Sequence, residues 1–165
     1  MNESLLIRGG QVYQGGRFEE LDLLIEEGTF TGFNQDRSAK QVFEAANLYV
    51  IPGMIDIHTH GAVGVDFNLF ADEEEIHKIV SFFASKGVSG FLPTVLTDTP
   101  EVMKTQLAKL TWPAVQSRFP QILGIHLEGP FLSAFYKGAM KEELLKECDL
   151  AFFDELQDAA HGMIR

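Results

Sequence analysis

The sequence contains little cysteine, few basic residues and no long apolar run, and each shortage excludes a class of protein. Cys148 is the only cysteine, so no internal disulfide can form, which favours a reducing compartment. The formal net charge is −11, because 24 acidic residues outnumber 13 basic ones; this argues against nucleic acid or an anionic membrane surface as a partner. No apolar stretch approaches the roughly 20 residues that span a bilayer, and the first residues lack the pattern of a signal peptide. We therefore expect a cytoplasmic protein, and the charge still permits a small anionic substrate.

Two different patterns follow each other along the chain. Residues 3–49 contain short apolar runs separated by glycine turns, which predicts a small module of β-strands. From about residue 50, buried strands alternate with amphipathic segments, and the strands are predicted over 50–61, 88–95 and 122–128. Strands separated by helices imply right-handed βαβ crossovers, hence a parallel sheet and an α/β fold. With 45% hydrophobic residues, the chain can bury a core of ordinary domain size.

The helices of the second part carry recognisable start signals. Asp72 fits the N-cap position, with Glu75 three residues later, and Pro100 fits the first position of a helix that follows Thr99. A further helix is predicted to begin near Met140, and a last one to cover 150–160. No element that would close the sheet is predicted after that helix.

The first strand of the second part ends in two histidines, His58 and His60. Side chains alternate between the faces of a strand, so both imidazoles point the same way, with Cα atoms about 6.6 Å apart. Two imidazoles at that spacing can bind one metal ion through bonds of about 2.0–2.1 Å. Histidine pairs of this spacing also arise by chance, so a metal site and a purely structural pair are both open at this point.

A glutamate ends the third predicted strand. Glu128 lies at the carboxyl end of a parallel strand, where α/β barrels build their active sites, and hence at the same rim as His58 and His60. A buried ion-pair partner is the alternative. Two histidines and a carboxylate at one rim favour a metal site over that alternative.

Two motifs give the chain a family resemblance. The run PGMIDIHTHG over 52–61 resembles the first-strand signature of the amidohydrolase superfamily. The run HLEGPF over 126–131 is more specific and resembles the third-strand motif of N-acetylglucosamine-6-phosphate deacetylases. Three shorter motifs fall in the order and spacing of that family: GVDF at 64–67, FLPT at 91–94 and KGA at 137–139. The resemblance extends along almost the whole of this chain, which corresponds to well under half the length of a family member.

The resemblance implies an architecture. It implies the N-terminal part of a metal-dependent (β/α)₈ barrel, preceded by a small β-sandwich module that both ends of a family chain assemble. Residues 1–49 would form part of the sandwich, and residues 50–165 would form the first three βα units of the barrel.

The resemblance also implies roles for individual residues. Glu128 matches a metal ligand, and His58 and His60 match a pair that serves a second metal position in members that keep it. Gly138 and Ala139 match backbone that lies near the N-acetyl group of the substrate.

Further residues are predicted to lie next to the ligands. Asp56 shares the strand face of His58 and is interpreted as a supporting residue. His126 shares the face of Glu128 and helps to shape the site, with a packed structural role as the alternative. Met140 stands where many members have a polar side chain, which argues against a side-chain contact to the sugar from this position. No catalytic base is predicted within the chain, because the resemblance places that aspartate, two more ligand histidines and a substrate-binding histidine beyond residue 165.

The implied activity is hydrolysis of the acetamide of N-acetylglucosamine 6-phosphate to acetate and glucosamine 6-phosphate, a step of amino-sugar catabolism. The implied cofactor is a divalent metal. Histidine and carboxylate ligands suit zinc, and iron, manganese or cobalt fit the same ligands. A homodimer is implied for the full-length protein, and the 165 residues alone are expected to be inactive.

Two other interpretations stay open at this point. A dihydroorotase- or hydantoinase-type hydrolase of cyclic amides shares the first-strand signature, although the HLEGPF motif argues against it. The second interpretation is a chain that has no catalytic activity of its own, because the expected base lies outside the 165 residues.

Overall fold

The computed structural model describes residues 4–34 and 39–165. The chain divides into two units, Met1–Pro52 and Gly53–Arg165. The first unit consists of β-strands, whereas the second combines a parallel sheet with helices. The predicted α/β class is therefore confirmed.

The first unit is a twisted ribbon of strands around a long hairpin. Its strands are β1 (Ser4–Gln14), β2 (Arg17–Glu26), β3 (Thr29–Phe33), β4 (Gln41–Glu44) and β5 (Tyr49–Val50). The sheet order is β3-β2-β1-β4, and β5 also pairs with β1. The pairing of β1 with β2 shifts between Ile7 and Gly10, where Gly9 has φ +67°. These glycines therefore form a bulge inside one strand, whereas the sequence predicts a turn between two shorter strands.

The second unit is built on three parallel strands. Its elements in chain order are β6 (Met54–Thr59), β7 (Gly61–Ala62), β8 (Val65–Asp66), α1 (Glu73–Ser85), β9 (Val88–Leu96), α2 (Pro100–Thr111), α3 (Pro113–Arg118), β10 (His126–Glu128) and α4 (Leu150–Ala159). The sheet order is β10-β9-β6, and β7 pairs with β8 in a short antiparallel hairpin. The predicted parallel sheet with helical crossovers is thus confirmed for this part of the chain.

Local chemistry explains where the helices begin and which face they bury. The Asp72 carboxylate accepts hydrogen bonds from the first turn of α1, and the Thr99 hydroxyl does the same for α2, which satisfies amide groups that lack a partner inside the helix. The apolar positions of both helices recur at helical spacing and are buried against the sheet; they are Ile76, Ile79, Phe83, Met103, Leu107 and Leu110.

The first strand of the parallel sheet differs from the prediction in extent and in burial. A buried strand is predicted over 50–61, but Tyr49–Val50 pairs with β1 and the parallel sheet begins at Met54. Ile55 and Ile57 are 59% and 66% exposed. The reason is that β6 is an edge strand among the described residues, and none of those residues covers these side chains.

Three later elements also differ from the prediction. The third strand is predicted over 122–128, but β10 covers only its end, and Ile122 makes an isolated bridge to Phe91. The helix predicted near Met140 is reduced to one 3-10 turn, Glu142–Leu144, which lacks a side-chain cap. The residues after α4 are not featureless, because Ile164 forms a parallel bridge with Ile125. Such a bridge depends on residues 39 positions apart and leaves no local sequence signal.

No helix within 4–34 and 39–165 is long and apolar enough to cross a membrane.

Candidate metal centre

The carboxyl end of β6 is shaped by a β-bulge. Asp56 pairs with Phe91 and Thr59 pairs with Pro93, so β6 advances by three residues while β9 advances by two. The extra residue lies around His58. Bulges next to functional sites change the direction of a side chain.

Side chains hold the backbone at this end of β6. The N–H of His58 donates to Asp56 Oδ1 at 3.0 Å, and the N–H of Thr59 donates to Thr94 Oγ1 at 2.9 Å. Asp56 therefore lies beside His58, as predicted, but it contacts the backbone of His58 and not its imidazole. The bulge is fixed at two consecutive amides.

Gly61 follows His60 and turns the chain into the β7–β8 hairpin. Its φ is +130°, and a Cβ here would meet the carbonyl oxygen of Val65 at 2.0 Å, so glycine is required. The carbonyl of His60 accepts a hydrogen bond from the N–H of Phe67 at 2.9 Å, and Phe67 is fully buried. The backbone of His60 is thus tied to the core.

The carboxyl end of β10 positions Glu128. The carbonyl of Glu128 accepts from the Thr97 hydroxyl at 2.9 Å and from the Thr97 N–H at 3.2 Å. Gly129 follows with φ +97°, and a Cβ at this position would meet Thr97 Oγ1 at 1.9 Å. Thr97 therefore excludes any side chain after Glu128 and fixes its backbone.

The structure brings His58, His60 and Glu128 together. Glu128 Oε2 lies 3.1 Å from His58 Nε2 and 3.2 Å from His60 Nε2, and the two Nε2 atoms are 3.3 Å apart. Two ligands of a tetrahedral ion with bonds of about 2.0–2.1 Å are themselves about 3.3–3.4 Å apart. The three atoms are therefore spaced as three ligands of one ion would be, and the ends of β6 and β10 meet at the predicted rim.

The chemistry of these three groups also fits a cation. Each residue offers one ligand atom, these atoms lie close together, and imidazole nitrogens and a carboxylate oxygen are ligands that a divalent ion accepts. The side chains of His58 and Glu128 are 50% and 31% exposed, so the place is accessible from solvent. His60 Nδ1 is buried and has no hydrogen-bond partner within the described residues, whereas its Nε2 faces Glu128.

His126 lies next to the cluster of His58, His60 and Glu128. Its ring centroid is 4.7 Å from that of His58, and its Nδ1 lies 3.3 Å from Thr94 Oγ1. Burial lowers the pKa of His126, and the neighbouring His58 lowers it further, against an opposite effect of Glu128. The structure therefore places His126 at the rim, hydrogen-bonded to the middle strand.

The loop with Gly138 and Ala139 is placed differently. Both residues are exposed, and in the described part of the chain no hydrogen bond joins them to His58, His60 or Glu128. Gly138 has φ +59° with open space around it. Met140 is 7% exposed, so its side chain is directed inward.

Sequence reasoning gave no role to three buried polar residues at this rim. Thr94 and Thr97 are described above, and Asn68 bonds both the N–H and the carbonyl of Leu96, at 2.9 and 3.3 Å. All three are buried. Thr94 falls inside the FLPT motif, so that motif was the one available signal.

Comparison with known proteins finds named relatives of this chain. No protein-family model matches the chain. The N-acetylglucosamine-6-phosphate deacetylase of Bacillus subtilis is 31% identical over 131 residues, which cover 77% of this chain and 33% of that protein. The enzyme of the same name from Mus musculus is 30% identical over 159 residues, covering 94% and 36%. The chain thus spans about a third of the length of the curated relatives that it matches.

A solved structure has the same arrangement of elements. It is an N-acetyl-D-glucosamine-6-phosphate deacetylase mutant from Mycobacterium smegmatis in complex with N-acetyl-D-glucosamine-6-phosphate. The TM-score is 0.82 at 28% identity, over 99% of this chain and 42% of that chain. Sequence and fold therefore point to the same group of proteins.

Proposed function

We propose, on the premise that the chain belongs to the N-acetylglucosamine-6-phosphate deacetylase family, that the protein hydrolyses the acetamide of N-acetylglucosamine 6-phosphate. The observation that carries this proposal is the convergence of His58, His60 and Glu128 on one point, in a chain similar to named deacetylases over most of its length. Water adds to the acetyl carbon, the C–N bond breaks, and acetate and glucosamine 6-phosphate leave.

The proposal includes the architecture. The three parallel strands are the first part of a (β/α)₈ barrel, and residues 50–165 supply its first three βα units. Residues 1–49 supply part of a β-sandwich module. The parallel order β10-β9-β6 supports the barrel, because βα units of one barrel place their strands side by side in chain order.

Glu128 is the primary metal ligand in this proposal, and His58 and His60 form a second or shared position. The distances of 3.1–3.3 Å between their ligand atoms support a shared position. When bound, a divalent metal, most readily Zn²⁺ and alternatively iron, manganese or cobalt, supplies Lewis-acid activation of water and of the acetyl carbonyl.

In this proposal, residues of this chain bind and orient the reacting groups. His58, His60 and Glu128 fix the position of the reacting groups, Asp56 fixes the backbone of His58, and His126 shapes the adjoining wall. The exposed backbone at Gly138 and Ala139 contacts the acetyl group. The general base is an aspartate outside these 165 residues.

The substrate test compares amides with the full-length protein. Acetate release from N-acetylglucosamine 6-phosphate is measured beside ring opening of hydantoin and dihydroorotate, each with added Zn²⁺. We expect kcat/KM to be at least about 100-fold higher for the sugar phosphate, because a site built to hydrogen-bond one substrate rejects others strongly. Faster turnover of a cyclic amide would replace this proposal with a cyclic amide hydrolase.

The same proposal predicts the behaviour of residues 1–165 expressed alone. They lack the proposed base, and the edge of β6 has no partner among the described residues, so we expect no acetate release and a tendency to associate. Acetate assays and sedimentation with added Zn²⁺ test this. A monodisperse monomer with the turnover of the full-length protein would contradict both the architecture and the placement of the base.

The proposal also includes the location and assembly of the full-length protein, as a cytoplasmic homodimer without nucleic-acid or membrane partners.

A further inference from the structure

We propose that Thr94 is a positioning residue of the metal centre, which sets both the strand end that carries His60 and the orientation of His126. The inference rests on the proposed metal site. Thr94 is fully buried in the middle strand β9. A buried hydroxyl is costly unless its hydrogen-bonding capacity is used, and both partners of this one lie at the rim.

The first partner is the backbone immediately before a ligand. Thr94 Oγ1 accepts from the N–H of Thr59 at 2.9 Å, and the next residue is His60. In a regular parallel ladder this N–H would donate to a carbonyl of β9. Thr59 still pairs with Pro93 beyond the bulge, and the hydroxyl adds a buried side-chain bond at this strand end, which fixes the direction in which the chain leaves the sheet.

The second partner is His126 on the other neighbouring strand. His126 pairs with Thr94 in the register of β10 and β9, and its Nδ1 is 3.3 Å from Thr94 Oγ1. A threonine hydroxyl has one hydrogen and two lone pairs. Since the N–H of Thr59 occupies a lone pair, the hydrogen is free to donate to Nδ1. His126 then carries its hydrogen on Nε2, which makes it a hydrogen-bond donor at the rim and not a fourth ligand.

One hydroxyl therefore connects all three strands at the level of the ligands. The chain contains a matched control, because Thr111 is also buried and its hydroxyl also joins a backbone carbonyl, Leu107 O at 2.8 Å, to a histidine, His161 Nδ1 at 3.0 Å. Thr111 lies at the end of α2 and contacts none of the three ligands. Thr111→Val thus removes an equivalent buried bond away from the centre.

The experiment uses the full-length protein with Thr94→Val, Thr94→Ser and Thr111→Val. The Zn²⁺ dissociation constant is measured by competition with a chromophoric chelator, without substrate. We expect Thr94→Val to weaken Zn²⁺ binding about 10-fold or more, the usual scale for residues that support metal ligands. Thr94→Ser keeps the hydroxyl and should stay within about threefold of the wild type, as should Thr111→Val.

A second readout needs neither metal nor activity. In zinc-free protein labelled with ¹⁵N-histidine, the ring shifts of His126, assigned with His126→Asn, should show the Nε2–H tautomer in the wild type and in Thr94→Ser. Thr94→Val should lose that preference. Unchanged zinc affinity and an unchanged tautomer in Thr94→Val would overturn the inference, and so would an equal loss of affinity in Thr111→Val. A protein that failed to deacetylate the sugar phosphate would contradict the proposed function without touching these two measurements.

Discussion

The ligand cluster and the loop that follows it are held in opposite ways. At the cluster, the strand ends are fixed by buried hydroxyls, by Asp56 and by glycines that neighbouring backbone or side chains crowd. In the loop over 133–139 the contacts are turns within the loop itself, and Phe135 and Tyr136 are 85% and 82% exposed. Metal ligands need positions fixed to a fraction of an ångström, so they lie on rigid elements. Gly138 and Ala139, which we propose to contact the substrate through their backbone, lie on this exposed surface loop.

Removing Glu128, the proposed primary ligand, should have the greatest effect on the cluster. We expect Glu128→Gln in the full-length protein to lose most bound metal and at least about 10³-fold in kcat, because the neutral amide is a poor ligand and leaves two histidines. Metal content by mass spectrometry and acetate release measure this. Glu143→Gln, at an exposed position, is the matched control. Full metal content in Glu128→Gln would refute the assignment.

Crowding at Gly129 tests whether the backbone after the ligand matters. We expect Gly129→Ala to lower the free energy of unfolding by about 2–4 kcal/mol, because the residue is held at positive φ and its Cβ would meet Thr97 Oγ1 at 1.9 Å. The strain acts on the backbone that carries Glu128, so metal affinity should also fall, by about 10- to 100-fold. Denaturant unfolding and zinc titration measure both. Wild-type values for both quantities would show that the rim is more adaptable than the structure indicates.

Loss of one histidine of the pair should lower metal affinity less than loss of the glutamate. We expect His58→Asn to lower metal affinity by about 10- to 100-fold and to leave part of the activity, since Glu128 and His60 remain. The comparison of His58→Asn with Glu128→Gln in one zinc titration ranks the two ligands. A loss in His58→Asn that equals that in Glu128→Gln would mean that all three residues hold one indivisible site.

Substitution of Gly138 in the exposed loop is the comparison for substitution of Gly129. We expect Gly138→Ala to cost only about 1–2 kcal/mol of unfolding free energy, the cost of a left-handed conformation, because its Cβ would meet open space. Zinc affinity should be unchanged, and any functional effect should appear in KM for N-acetylglucosamine 6-phosphate. A drop in zinc affinity equal to that of Gly129→Ala would remove the distinction between cluster and loop.

Features that depend on near neighbours in the sequence were predictable. The caps at Asp72 and Thr99, and the apolar faces of α1 and α2, follow from residues three or four positions apart, and the structure confirms them. The spacing of His58 and His60 and the position of Glu128 after an apolar run also made their meeting predictable, because parallel strands place their carboxyl ends at one edge.

Features that depend on distant neighbours were not predictable. The bulge around His58 is a shift in the pairing of β6 with Phe91 and Pro93 on the adjacent strand, and the bond that holds Thr59 comes from Thr94, 35 residues away. The bridge between Ile125 and Ile164 joins residues 39 positions apart and follows from no periodic pattern in the sequence. The helix predicted near Met140 does not form. Only the turn Glu142–Leu144 is present, without a side-chain cap, and a short helix is not stable by itself.

The amino-acid order alone thus specifies which groups are available: two imidazoles two residues apart, a carboxylate before Gly129, and helices that start at their caps. It does so because these are properties of covalent neighbours. Folding specifies the distances, since 3.1–3.3 Å between atoms on separate strands results from strand register, a bulge and buried hydroxyls such as that of Thr94. Those contacts join residues that lie far apart in the chain, and packing brings them together.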